Sequence, residues 1–270
     1  MTSARMPVLD LDPIEETALL QVVWRAVETA SPTAEPWDPF AQAVVAQAGG
    51  AALIARFTTG PDLYRRLHVA AVRVADGRLR AWGAEGEDRR QVVLLASGLD
   101  GRMAREVFSQ GTSVFAVDRP RILDLYRRLS PPGMACPVPV PGNLVRPAEV
   151  LAALRAAGWR ADRPTAFVAE GVMEFLGGAA MARLLGECAG AAAPGSLLLV
   201  QSLDPALVDR ARAIGDTAFP WRRLPDPLSA FAHLPVEDVQ TLSVTPQPGV
   251  GEIEADREPE PLTHVLALPL

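Results

Sequence analysis

"VVLLASGLDGRMAREVFSQGTSVFAVDRP", residues 92–120, carries the pattern on which the fold turns. Val92 to Leu95 is a short unbroken apolar run, β-branched at its start, which suits a parallel strand buried on both faces. Gly98 follows, where a missing Cβ lets the backbone turn tightly and approach a ligand. Composition favours a helix from Arg102 to Phe108, and Thr112 to Val117 reads as a second strand ending on Asp118. Strand, glycine turn, helix, strand and acid in that order predict a doubly wound sheet that binds a nucleoside, the acid accepting hydrogen bonds from two ribose hydroxyls.

The phosphate-binding fingerprint G-x-G-x-x-G is not met. The turn offers Ala96, Gly98 and Gly101, two glycines at the wrong spacing. A ligand with a ribose and no pyrophosphate fits this turn better, and S-adenosylmethionine is the common one. A nicotinamide-dependent oxidoreductase is disfavoured for the same reason. The plain alternative is an ordinary strand-to-helix connection.

The chain of 270 residues is 49% apolar and 21% charged, the composition of a soluble globular protein with ample length for a core. Its net charge of -6 argues against a nucleic-acid partner, which normally meets a basic face. "AGAAAPGSLLLV" is broken by Pro194 and Gly195, and no stretch reaches a membrane span. No basic-then-apolar leader opens the chain, so the expected location is cytoplasmic. Cys136 and Cys188 are too few for a disulfide framework or zinc site, and the three histidines are scattered. Oligomeric state is not legible.

Asp12-Pro13 with Glu15 and Glu16 marks a capped helix running to about Thr29. "SPTAEPWDPF" reads as a proline-broken loop, and "AQAVVAQAG" and "DLYRRLHVAAVRVADGRLRAW" as helices. Strands are expected near 91–96, 113–117, 136–140, 165–169 and 197–202, with helices near 102–109, 120–129, 147–157 and 178–191. This alternation predicts an α/β fold, a doubly wound and mostly parallel sheet with N-terminal helices. After Leu203 regularity fades; "VQTLSV" and "HVLALPL" are read as a closing antiparallel hairpin. One domain over 1–270 is expected: a helical cover (1–90), an α/β core (91–203) and a variable substrate-side region with the closing strands (204–270).

"VVLLASGLDGR", "VFAVDRP", "RPTAFVAEGVMEFL" and "WDPFAQAVVAQAG", in that spacing, resemble the leucine carboxyl methyltransferase-like group of class I S-adenosylmethionine-dependent methyltransferases, which includes bacterial polyketide O-methyltransferases. The likeness covers roughly residues 15–203. It implies a Rossmann-like methyltransferase fold, S-adenosylmethionine as cofactor, S-adenosylhomocysteine as product and a small-molecule acceptor. It also implies roles for single residues. Gly98 would lie beside the methionine part of the cofactor and Asp118 on its ribose. Arg73 would pair with the cofactor carboxylate, a task suited to a bidentate guanidinium, and Glu170 would stand near its amino group. Asn143-Leu144 stands where the family has Asp-Leu for the adenine; asparagine still offers an accepting oxygen. Ala96 replaces the first glycine of the turn. These departures motivate an alternative in which the fold has lost methyl transfer and serves another reaction, such as a cyclisation.

For each residue a plainer role stands beside the functional one. Asp118 could cap the following helix, Arg73 be solvated, and Pro-Gly-Asn143 be a simple turn. Tyr64 and His68 share a helical face at i and i+4, more often packing than catalysis. Phe219, Trp221 and Phe231, with Arg222 and Arg223, are read as the wall of an acceptor pocket, against the alternative of a satellite core. No general base stands out. That favours a carboxylate acceptor, ionised at pH 7, over a phenol with a pKa near 10, though a phenol activated by an unidentified group remains open.

Overall fold

The structure, a computed structural model, describes residues 11–32, 34, 36–58, 62–85, 90–213, 238–242 and 263–270. Its centre is a seven-stranded sheet of order β3-β2-β1-β4-β5-β7-β6, built from β1 (Gln91–Leu95), β2 (Ser113–Asp118), β3 (Val138–Pro141), β4 (Thr165–Ala169), β5 (Leu197–Leu203), β6 (Asp238–Leu242) and β7 (Thr263–Pro269). The first five run parallel, Val93 lying in register between Phe115 and Phe167. β7 pairs antiparallel with β5 and with β6. Strand order reverses between β1 and β4, and in such sheets ligands bind beyond the carboxyl ends of the strands at that switch point.

The unbroken apolar runs are explained by helices on both faces. Val93, Leu95, Phe115, Phe167 and Leu198 pack against α6 (Pro147–Ala156) and α8 (Gly178–Ala191). Their neighbours Val92, Leu94, Val114, Val168 and Leu199 pack on Ala71, Ala75, Leu79 and Trp82 of α4 (Asp62–Ala84). A strand's side chains alternate faces, so both sets are apolar.

A third core joins α1 (Pro13–Thr29), α2 (Pro39–Ala48) and α5 (Pro120–Leu129). Phe40 stacks on Tyr126 with ring centroids 4.9 Å apart. The capping box read at Asp12 is present, Glu15 N–H donating to Asp12 Oδ1 at 2.8 Å and Asp12 N–H to Glu15 Oε2 at 3.1 Å. Among the described residues no single helix is long and apolar enough to cross a membrane.

Four elements differ from expectation. The helix read at 102–109 is absent; a run of turns connects β1 to β2, with Glu106 at a φ of +52°. Arg102 and Arg105 are good helix formers locally, but their guanidinium groups are drawn into ion pairs with Asp76 and Asp38 from other segments. Two short helices, α3 (Ala51–Phe57) and α7 (Met173–Leu176), were not anticipated. Neither was α9 (Pro205–Ala213), beyond the point where regularity seemed to end.

Candidate active site

The carboxyl ends of β1, β2 and β4 open onto a crevice roofed by α1. Gly98 has a φ of +53°, and a Cβ placed there would lie 3.6 Å from that of Ala18. Gly171, just past β4 with a φ of +61°, would bring a Cβ to 2.8 Å from Gln21 Nε2, so that side chain would have to shift. Glycine suits both positions for their left-handed backbone. Ala96 holds the same left-handed region at a φ of +56° while carrying a Cβ.

Asp118 ends β2 with its carboxylate turned towards the turn: Gly98 N–H donates to Oδ2 and Arg119 N–H to Oδ1, both at 2.7 Å. Burial raises this carboxyl above the ordinary aspartate range, against the pull of the two N–H donors and of Arg119. Arg119 in turn pairs with Asp12 at 2.7 Å, tying the start of α1 to the same strand end.

Beyond β1 and β4 lies a dense ion network. Arg102 donates to Asp76 at 2.7 Å and to Asp100 at 2.5 Å, and pairs with Glu170 at 2.6 Å. Arg105 joins Asp76 at 2.9 Å to Asp38 at 2.7 Å. Arg25 of α1 donates to the same Asp38 oxygen at 2.8 Å and to Leu99 O at 2.6 Å, leaving Nη1 3.5 Å from His68 Nε2. Asp38, from "WDPF", also caps α2 through Ala41 N–H at 2.9 Å.

The arginine partners keep Asp38 and Asp100 below the usual carboxylate range although burial pushes the other way. Glu170 is raised: burial outweighs Arg102, and Asp100 and Asp76 add to it. Burial and the charges of Arg25, Arg105 and Arg102 hold His68 well below the ordinary imidazole range, so it is neutral at pH 7.

Two hollows meet here. The charged one is lined by Arg25, Ala96, Ser97, Asp100, Arg102 and Glu170 among others. The apolar one is lined chiefly by Leu20, Trp24, Leu67, Phe175, Leu203 and Leu207, with Tyr64 and Glu174 in its wall. Gln21, His68 and Gln201 belong to both. In the charged hollow Ser97 Oγ and Glu170 Oε1 are buried without a hydrogen-bond partner. Two unpartnered oxygens in one hollow, one of them on a carboxylate, suit an ammonium group.

The structure thus places Gly98, Asp118 and Glu170 just at the carboxyl ends of β1, β2 and β4; Glu170 lines the charged hollow, and Asp118 is tied to the turn beside it through Gly98 N–H. It does not bring Arg73 there. Arg73 is exposed on the outer side of α4, lining a separate hollow with Trp37, Arg80 and Glu106. One helical step of about 100° separates it from Val72, which does line the crevice. Asn143 is exposed, and its Oδ1 accepts from Val145 N–H at 3.1 Å, holding its own turn. Leu144 buries its side chain in the core under α6. Phe219, Trp221, Arg222, Arg223 and Phe231 lie outside the described residues. Sequence reasoning missed Arg25, Ser97 and Glu174; of these only Ser97, inside the glycine turn, carried a local signal.

This strand order, with an acid closing β2 and a charge-lined crevice at the switch point, defines a class I methyltransferase fold. The profile of the family described as leucine carboxyl methyltransferase matches residues 18–189. A provisionally named S-adenosyl-L-methionine-dependent methyltransferase of Mycolicibacterium paratuberculosis is 35% identical over 217 residues, 74% of this chain and 67% of the relative. Another from Mycobacterium sp. (strain KMS) is 33% identical over 77% of this chain and 74% of its own. In solved structures, a provisionally named methyltransferase of Thermobifida fusca superposes with a TM-score of 0.56 at 20% identity, covering 92% of this chain and 93% of that one. A DUF574 family protein of Streptomyces avermitilis gives 0.56 at 17%, covering 96% and 99%. The chain belongs to the leucine carboxyl methyltransferase family and is an S-adenosylmethionine-dependent methyltransferase.

Proposed function

We propose that the protein transfers the methyl group to an oxygen of a small-molecule acceptor, a carboxylate or a phenolic hydroxyl. The observation that carries this reading is the junction of the two hollows at Gln21, His68 and Gln201, a charged chamber opening into an apolar one. Bound S-adenosylmethionine supplies an electrophilic methyl carbon. Asp118 accepts from the ribose hydroxyls, while Glu170 and Ser97 receive the ammonium. Arg25, whose Nη1 faces the crevice wall at His68, takes the place expected of Arg73 and meets the carboxylate. Asn143 and the backbone of Leu144 border the adenine. The apolar hollow seats the acceptor and keeps water from the reacting oxygen, so that positioning provides much of the rate.

Calorimetry with S-adenosylhomocysteine and NADH, followed by turnover with methyl-labelled S-adenosylmethionine, 2-naphthol and 2-naphthoate, tests the reading. Binding of S-adenosylhomocysteine but not NADH is expected, with label appearing in a methyl ether or ester. Asp118→Ala should weaken S-adenosylhomocysteine by about 2 to 4 kcal/mol, roughly thirtyfold to thousandfold. Unchanged affinity in a folded variant removes Asp118 from the site, and label found only on nitrogen or carbon of other acceptors refutes O-methylation.

A further inference from the structure

We propose that Glu174 is the general base and that the acceptor is an apolar molecule presenting a phenolic hydroxyl, seated in the hollow among α1, α4 and α9. This rests on the O-methyltransferase reading and narrows it. "EGVMEFL" places Glu174 four residues, about one helical turn, beyond Glu170. Glu170 lines the charged chamber and Glu174 the apolar one, so the two carboxylates stand on either side of the junction.

Glu174 is only 2% exposed. Leu203 N–H donates to its Oε1 at 2.7 Å and Ser202 Oγ–H at 3.2 Å, which orients the carboxylate on the end of β5. No cation pairs with it among the described residues. A buried carboxylate in a wall of leucine and aromatic side chains is costly, and such a cost is ordinarily offset by an arginine or lysine. Its neutral donors support the charged form without neutralising it. A hydroxyl entering the hollow can give it a further hydrogen bond and then a proton.

His68 is the other candidate base in the wall. Its Nε2 faces the Arg25 guanidinium, and three arginines oppose its protonation, whereas burial raises the Glu174 carboxyl and strengthens it as a proton acceptor. A carboxylate acceptor would set a second negative charge against Glu174, and among the described residues that line the hollow no arginine or lysine offsets it. With a base in the wall, a phenolic hydroxyl suits this hollow better than a carboxylate. In the step itself Glu174 takes the hydroxyl proton as the phenolic oxygen bonds to the methyl carbon; the carbon–sulfur bond breaks and its electron pair stays on sulfur. The proton passes to water after the product leaves.

Glu174→Gln keeps the side-chain shape and an oxygen for Leu203 N–H. Methylation of three probes by native protein and variant is compared at pH 8: 2-naphthol, which needs a base; 4-nitrophenol, largely ionised already; and 2-naphthoate. The expected result is that Glu174→Gln loses about 100-fold on 2-naphthol but less than about threefold on 4-nitrophenol, with S-adenosylhomocysteine affinity by calorimetry unchanged. Equal losses on the two phenols, or a 2-naphthol rate within threefold of native, overturn the base assignment. Native protein that esterifies 2-naphthoate and methylates neither phenol also overturns it, while leaving the O-methyltransferase reading standing. Methyl transfer confined to nitrogen or carbon acceptors overturns both.

Discussion

Gly101→Ala should destabilise the protein far beyond the usual effect of that exchange, and the reason is steric. The backbone of Gly101 is not in the left-handed region, so alanine meets no conformational penalty there. A Cβ at Gly101 would, however, lie 2.4, 2.5 and 2.7 Å from Oδ2, Oδ1 and Cγ of Asp38. The Asp38 carboxylate must retreat by about 1 Å to reach ordinary contact. It has little freedom to do so, because its backbone N–H is fixed on Thr29 Oγ1 at 2.9 Å and its Oδ1 caps α2. Retreat stretches the bonds from Arg25 and Arg105, now 2.8 and 2.7 Å, past useful length. Losing the cap costs about 1 kcal/mol and each of the two charge-assisted bonds about 1.5 to 3, so about 4–7 kcal/mol in all, at or above the cost of breaking a buried ion pair. Urea unfolding of Gly101→Ala, Asp38→Ala and the double variant, followed by circular dichroism, measures this. In the Asp38→Ala background the glycine exchange should cost under about 1 kcal/mol. A single-variant cost below 1 kcal/mol, or strictly additive costs, would refute the packing of Asp38 on Gly101 as the reason for the glycine.

Three further outcomes are expected. Arg25→Lys should weaken S-adenosylhomocysteine at least about tenfold, since an ammonium cannot hold Asp38, Leu99 O and a ligand carboxylate in one fork, whereas Arg73→Lys should leave calorimetric affinity unchanged; the opposite ranking restores Arg73 to the site. Ala96→Gly relieves a left-handed alanine, about 1–2 kcal/mol, against about 0.4–1 kcal/mol of added chain entropy, so denaturant unfolding should show stability unchanged or raised, and a loss of 1 kcal/mol or more contradicts the strain. Because burial raises the Glu174 carboxyl in the folded state, the native chain holds its proton longer than the unfolded chain, and stability falls as pH climbs through the interval above the ordinary glutamate range. Tyr64 and His68 are the titratable groups sharing its hollow, and Glu174→Gln should therefore gain stability over native by up to about 1.4 kcal/mol per pH unit across that interval, read as a difference in Tm between pH 5 and pH 8 that a constant offset would disprove.

The strands were legible because a parallel strand covered on both faces leaves a run such as "VVLL" or "AFVA" that little else produces. α1 was legible because its signals, Asp12, Pro13 and Glu15, are local and reciprocal. What escaped depends on partners distant in sequence. Arg102 to Phe108 has helical composition, yet the two arginines are committed to Asp76, 26 and 29 residues earlier. Arg73 and Arg25 cannot be ranked from sequence, since which guanidinium reaches the crevice is set by the rotation of α4 and the placement of α1 over β1. "WDPF" announced itself as a motif, but the contact of Asp38 with Gly101 that makes each residue necessary to the other spans 63 positions. Glu174 sat in plain view inside "EGVMEFL"; only the closure of α1, α4 and α9 around it shows the wall to be apolar.

The buried and half-buried acids near the strand ends fall into two sets by the direction in which their surroundings move them. Asp38 and Asp100 are held low by arginines of the same chain, so their desolvation is already compensated and their work is to fix α1, α2 and the glycine turn in place. Asp118, Glu170 and Glu174 are moved up, because burial is not offset by the groups the chain supplies. Each of the three faces a different part of the proposed complex, and each lacks what that part brings: hydroxyl donors from a ribose at Asp118, an ammonium at Glu170, an acidic hydroxyl at Glu174. A protein stabilised only for its own fold would pair these acids fully, beyond the single Arg102 bridge at Glu170, or replace them with apolar residues of similar volume, often at no loss. Leaving three raised carboxylates along one edge costs stability in the free chain, and binding recovers it, because a ligand held only by the folded state adds stability that grows with the logarithm of its concentration over Kd. Saturating S-adenosylhomocysteine should accordingly raise Tm in native protein and in Glu174→Gln alike, since the latter removes only the acid reserved for the acceptor, and much less in Asp118→Ala. A Glu174→Gln variant that loses this thermal shift would place Glu174 on the cofactor side of the junction and dissolve the division.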